Sequence, residues 1–179
     1  MDEIEIPIYY PPDWEDEYKR NRAIAIWSEE FPEMFDGSCG THKPPYARTG
    51  TLEKFPNYAL MYLLRKNHGV HSITYFRLGS KASKDGNHLQ VIMRKWMGDA
   101  AFEKLRSAIQ ADPKLWGFKG EPDLFCWHPE TRVWFFAEAK GKDRLLESQH
   151  KWFRICRDTI PGVDIRVYRV CLHVTQPRA

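Results

Sequence analysis

The chain has 179 residues, 42% hydrophobic and 28% charged, the mixture of one globular domain with its own core rather than of a disordered or fibrous protein. Its formal net charge of +3 is too small to name a nucleic-acid partner, so local clustering has to decide that question. No apolar run approaches the roughly 18 residues of a membrane span, and the acidic opening MDEIEI is unlike a secretion signal, so an intracellular protein is expected, cytoplasmic or, in a eukaryote, nuclear.

In chain order, PIYYPPDW is Pro-rich and aromatic and reads as an extended arm, part of an N-terminal extension over residues 1–50. The pattern from Trp14 to Glu30 predicts a helix, and DGSCGTHKPPYARTGT predicts a loop. Cys39 and His42 in that loop have a loose metal-like spacing but no second pair to complete a zinc site. With no CxxC pair, the four cysteines are expected as reduced thiols. FPNYALMYLLRKN predicts a helix, with Pro56 in its first turn and Arg65 and Lys66 at its C-terminal end. VHSITYFRLG reads as a strand and SKASKDGN as a basic loop. Residues 89–110 read as helical with a break near Gly98–Asp99. Two strands follow, Leu124 to Trp127 and Arg132 to Lys140, around the turn HPET. A helix from Arg144 to Thr159, with Asp143 as N-cap, and a last strand in PGVDIRVYRVCLHV close the chain. This order predicts an α/β domain, a mixed sheet covered by helices, over residues 51–179 with an insertion at about 79–116.

The chemistry concentrates at one end of the HPET hairpin. Pairing about a centre between Glu130 and Thr131 sets Asp123 opposite Glu138, with Cβ atoms about 5 Å apart. Strand alternation puts Glu138 and Lys140 on one face and turns Ala139 to the other. Two carboxylates about 4 Å apart repel by roughly 4 kcal/mol at a surface-like dielectric. A shared proton or a hard divalent cation relieves this, and Asp123, Glu138 and the Ala139 carbonyl would form half the oxygen shell of Mg²⁺ or Mn²⁺. Such a cation beside the Lys140 ammonium suits attack on a phosphodiester. The plainer alternative is a hairpin that ends in surface charges, with Lys140 paired to Glu138.

The run GEPDLFCW, followed by FFAEAKGKDRLLESQHKWF, resembles the VRR-NUC family of nucleases within the PD-(D/E)xK superfamily. Gly120-x-Pro122-Asp123-Leu124 is similar to the family's first motif and Glu138-x-Lys140-Gly141 to its second. Asp143-x-Leu145, Gln149 and Trp152 follow the pattern of the next helix. The resemblance implies a restriction-endonuclease-like fold in which Asp123 and Glu138 bind Mg²⁺ or Mn²⁺. Lys140 would orient the attacking water or stabilise the phosphorane, and Gln149 would reach back from the helix. Asp143 is expected only as a cap, and Trp152 as core rather than a base-stacking platform. The family's further acid, a glutamate on the first core helix, would fall near Asn57. The nearest acid is Glu53, taken as the expected catalytic residue, with Glu103 as its rival.

Lys119, Lys142, Arg144 and Lys151 surround the motifs, and Lys81 and Lys84 lie in the basic loop, so these six are the expected phosphate contacts. The resemblance implies a DNA partner, and its small stand-alone members suggest a homodimer cutting four-way junctions. A flap nuclease or exonuclease, or a non-catalytic DNA-binding subunit on a nuclease fold, are the alternatives.

Overall fold

The computed structural model describes residues 3–35, 52, 54–79, 88–117 and 119–173, with only the backbone at residue 88. Its strands are β1 (Glu5–Tyr10), β2 (His71–Ile73), β3 (Leu124–Trp127), β4 (Trp134–Lys140) and β5 (Ile165–Leu172). Its helices are α1 (Trp14–Lys19), α2 (Arg22–Glu30), α3 (Phe55–His68), α4 (His88–Met97), α5 (Asp99–Gln110) and α6 (Glu147–Thr159). The strands form one mixed sheet in the order β1-β5-β4-β3-β2. β5 runs parallel to both β1 and β4, while β3 is antiparallel to β4 and to β2. This is the α/β architecture expected.

Strand alternation sorts the core into two layers. Leu124, Cys126, Phe135, Ala137 and Ala139 face a cluster that holds Tyr18, Trp27 and the buried side of α3. Phe125, Phe136 and Val167 face a second cluster with Phe102, Leu105, Trp152 and Phe153 from α5 and α6. Trp152 is fully buried against Phe136, so it is core, as expected. Cys126 and Cys156 are buried free thiols. Helix α3 ends on Gly69, whose φ of 65° lets its N–H bond back to the Arg65 carbonyl.

Several boundaries differ from the sequence expectation, each for a local reason. Residues 5–10 are extended, but as an edge strand of the central sheet, so the N-terminal segment is tied into the domain rather than appended to it. Pro7 is tolerated there because an edge strand has one unpaired side. The helix expected over Trp14–Glu30 breaks at Asn21, whose φ is 60°. The strand expected to run on to Gly79 stops at Ile73, because Tyr75 and Arg77 are left-handed, with φ of 57° and 52°. Arg132, with φ of 62°, delays β4 until Trp134. Helix α6 begins at Glu147, three residues later than expected. Residues 36–51 and 80–87, with Cys39, His42, Lys81 and Lys84, lie outside the described residues, as does Glu53.

Candidate active site

β3 and β4 pair with Leu124 opposite Ala137, Phe125 opposite Phe136 and Trp127 opposite Trp134. One step further along this register, Asp123 meets Glu138. The Asp123 N–H donates to Glu138 Oε2 at 3.3 Å, and the Ala139 N–H donates to Asp123 Oδ2 at 3.0 Å. The hairpin therefore brings the two carboxylates together as its turn position dictates.

Lys140 joins them. Its Nζ lies 3.0 Å from Glu138 Oε1 and donates to Gln149 Oε1 at 3.0 Å and to Asp143 Oδ2 at 3.1 Å. The Lys140 and Glu138 side chains are only 4% and 2% exposed, so the pair is not the surface ion pair of the plainer alternative. Burying such a pair is costly unless further hydrogen bonds satisfy it. Gln149 supplies them: its Nε2 donates to Glu138 Oε1 at 2.5 Å, while its Oε1 also accepts from the Leu146 N–H at 2.9 Å. One amide thus spans acid, ammonium and helix start.

Burial pushes the Glu138 carboxyl well above its ordinary value, and the neighbouring Asp123 adds to this. Burial alone would push the Lys140 ammonium down, but the charge of Glu138 and then the contact with Asp143 outweigh it and hold its pKa above the lysine norm.

Two residues enter the site that were given no catalytic role in the sequence. Asn57, in the first turn of α3, donates from Nδ2 to Asp123 Oδ1 at 2.5 Å. It stands where the resemblance places a glutamate, and an amide there carries no acid signal. Asp143, expected as a helix cap, instead accepts from Lys140 and, through Oδ1, from the Gly141 N–H at 3.2 Å. Gln149 has taken over the start of α6, which is why that helix begins late. Arg169 on β5 braces the same loop by donating to the carbonyls of Gly141, at 2.5 Å, and Asp143, at 2.8 Å, and it pairs with Glu5 on β1.

Glu103 is not part of this site. It is bonded to Arg94 on the exposed side of α5. Among the proposed phosphate contacts, Lys119, Lys142 and Arg144 are exposed near the motifs. Lys151 differs: it is ion-paired to Asp112, just past the end of α5, so any phosphate must compete with that carboxylate.

Asp123 and Glu138, with the Ala139 carbonyl, make an oxygen-only donor set, and a second positive charge would offset the burial and the Asp123 charge that together raise Glu138. That chemistry fits a hard divalent cation completed by water. Among the described residues, no group of three or more His, Cys, Asp and Glu converges, so protein carboxylates would fill only part of the shell.

Comparison with curated proteins finds no match. Among solved structures, the chain is similar to paFAN1 in its crystal structure bound to 2nt 5'flap DNA with gap, at 21% identity and a TM-score of 0.41. That similarity covers 92% of this chain but only 26% of paFAN1, so the chain spans about a quarter of its length. The VRR-NUC domain family model matches residues 81–172, a span that holds Asp123, Glu138, Lys140 and Gln149 and more than half of the chain. The chain belongs to the VRR-NUC family.

Proposed function

We propose that the protein is a Mg²⁺- or Mn²⁺-dependent DNA nuclease that hydrolyses phosphodiester bonds in branched or structured DNA, four-way junctions included, and works as a homodimer in replication, recombination or repair. The observation that carries this reading is the buried Lys140 ammonium, fixed by Glu138, Gln149 and Asp143 beside the Asp123 carboxylate. Asp123, Glu138 and the Ala139 carbonyl would hold the cation, which supplies Lewis acidity toward the phosphate. Lys140 places a fixed positive charge where the phosphorane develops negative charge, and orients the attacking water. Gln149 keeps that ammonium from rotating away and holds Glu138 in register with Asp123. Asn57 fixes the Asp123 rotamer from the opposite layer of the fold. Glu53 remains the proposed upstream acid, immediately before the turn that carries Asn57 in the sequence. The test is a panel of labelled linear, flap and four-way DNA substrates incubated with Mn²⁺, with Mg²⁺ and with EDTA. Cleavage of branched substrates that EDTA abolishes is expected, and metal-independent or absent cleavage overturns the reading.

Two further results are expected from the same assay. Asn57→Ala removes a hydrogen bond to a charged group, of the kind worth about 1.5–3 kcal/mol, and should slow cleavage roughly 10- to 100-fold. The melting temperature should hold, because Asn57 is only half-buried. Unchanged rates would show that Asp123 needs no such support. Binding, in turn, should weaken steeply with salt, with a slope of roughly −0.9 per phosphate neutralised on duplex DNA. Lys119, Lys142 and Arg144 are the residues expected to carry that slope, and a flat salt response would exclude them as phosphate contacts.

A further inference from the structure

A pocket of about 120 Å³ opens beside the site. Its lining comes from Lys54 and Asn57 at the start of α3, from Thr74 and Tyr75 after β2, and from the stretch Glu121 to Asp123. It therefore shares Asp123 and Asn57 with the proposed centre but extends away from Lys140 and Gln149, which do not line it.

Three features of the pocket bear on what it could hold. The Thr74 hydroxyl is buried, in a residue only 2% exposed, and has no hydrogen-bond partner among the described residues. Buried hydroxyls are nearly always paired, so an unpaired one lining a cavity points to a group that arrives from outside. Tyr75 is 40% exposed and held in a left-handed backbone conformation, which an aromatic residue seldom adopts. The Glu121 carboxylate pins the segment that follows by accepting from the N–H groups of Arg77 and Leu78, both at 2.7 Å. A side-chain hydrogen bond to buried Tyr58 further fixes the Tyr75 ring. The third feature is the Lys54 ammonium, 5.8 Å from the centre of the Tyr75 ring and in no ion pair among the described residues.

A fixed aromatic ring, a flexible ammonium lying over it that can swing aside, and a hydroxyl with no partner among the described residues match the parts of one nucleotide: base, phosphate and sugar. We propose that this pocket seats the nucleotide adjoining the bond to be cut, its base stacked on Tyr75 and its phosphate on Lys54, so that the neighbouring phosphate lies against Asp123. The nucleotide must be unpaired for its base to reach the ring, which ties the site to strands that are open or splayed at the cut, as they are at branch points. This inference deepens the nuclease reading and rests on it for the position of the cut.

The experiment is an abasic scan. A four-way junction is prepared with single bases removed, one position at a time, around the cleavage point, and is bound to wild type, Tyr75→Ala and Lys54→Ala. Fluorescence anisotropy in Ca²⁺ reads binding, and Mn²⁺ kinetics read KM and kcat. Base–aromatic stacking predicts that one abasic position weakens wild-type binding by roughly 5- to 150-fold. Tyr75→Ala should weaken binding of intact DNA by a similar factor and be indifferent to that same abasic position, with the loss appearing in KM rather than kcat. Lys54→Ala should lower the salt slope by about one phosphate while leaving the abasic response in place. If DNA is cleaved but Tyr75→Ala and wild type respond identically to every abasic position, the pocket holds no base and the inference falls while the nuclease reading stands. If the abasic response depends on Tyr75 but no substrate is cleaved under any metal, the pocket stands and the nuclease reading falls. A Lys54→Ala protein with an unaltered salt slope overturns the phosphate half of the assignment, even if the Tyr75 variant misfolds.

Discussion

A Lys140→Ala protein is expected to lose cleavage by roughly 10²–10³-fold while still binding junction DNA, because the ammonium acts on charge that exists only in the transition state. Three contacts fix that ammonium, so no neighbouring cation can replace it. Arginine should not rescue, since a planar guanidinium does not fit a slot shaped by Glu138, Gln149 and Asp143 for a compact point charge. Truncation also leaves Glu138 buried without its partner. An uncompensated buried charge costs about 3–5 kcal/mol, and Glu138 escapes most of that by taking up a proton, the direction in which its environment already pushes it. The variant should therefore remain folded by circular dichroism, with a modest loss of melting temperature. The matched Asp123→Ala variant should be equally inactive. Near-wild-type turnover in either folded protein would remove both residues from the chemistry.

Gly120→Ala is expected to damage both stability and activity, although Gly120 touches no substrate in this reading. Its φ is 74°, which costs an alanine about 1–2 kcal/mol. A Cβ there would sit 2.1 Å from the Ser148 carbonyl oxygen and 2.4 Å from its carbon. Those atoms belong to the backbone of the first turn of α6, so no side chain can swing aside. Overpacking of this kind adds roughly 1–3 kcal/mol. Together these correspond to a fall in melting temperature of about 5–15 °C for a domain of this size. The displaced helix turn carries Gln149, so the Glu138–Lys140 pair loses the amide that spans it, and cleavage should fall at least as far as in a Gln149→Ala protein. Thermal melts and initial rates on the same preparation check both parts. A Gly120→Ala protein that melts within about 2 °C of wild type would mean that α6 yields more easily than its packing implies.

The hairpin was legible because two independent rules agree on it. The position of HPET sets the register, and strand alternation sets the faces, so Asp123, Glu138 and Lys140 meet with no freedom left over. Other parts were hidden by competition between residues that could do the same task. Asp143 and Gln149 can each satisfy the start of α6, and the sequence does not say that Gln149 does so, leaving Asp143 for Lys140. β1 was masked by Pro7 and the Pro11–Pro12 pair, which suggest irregular chain until a parallel partner is known. The truncation of β2 has no local signal at all: Tyr75 and Arg77 have the composition of a strand, and it is Glu121, more than 40 residues away, that holds that turn. Asn57 stayed hidden because a neutral amide at that position does not carry the signal of a carboxylate.

The pairing of β1 with β5 sets a timetable for the molecule. Glu5 pairs with Val167 and Tyr10 with Leu172, so nearly the whole chain lies between the two partners. The hairpin that carries Asp123 and Glu138 can close within a few residues, and hairpins of that kind form in microseconds. The sheet edge must instead wait for the closure of a loop of more than 150 residues, among the longest-range contacts of the described residues. Arg169, which braces the loop behind Lys140, stands on β5 and is itself held by Glu5 of β1. During synthesis, the acidic pair can therefore be in register long before its lysine is clamped. The brace behind Lys140 is complete only once these two sequence-distant strands have met.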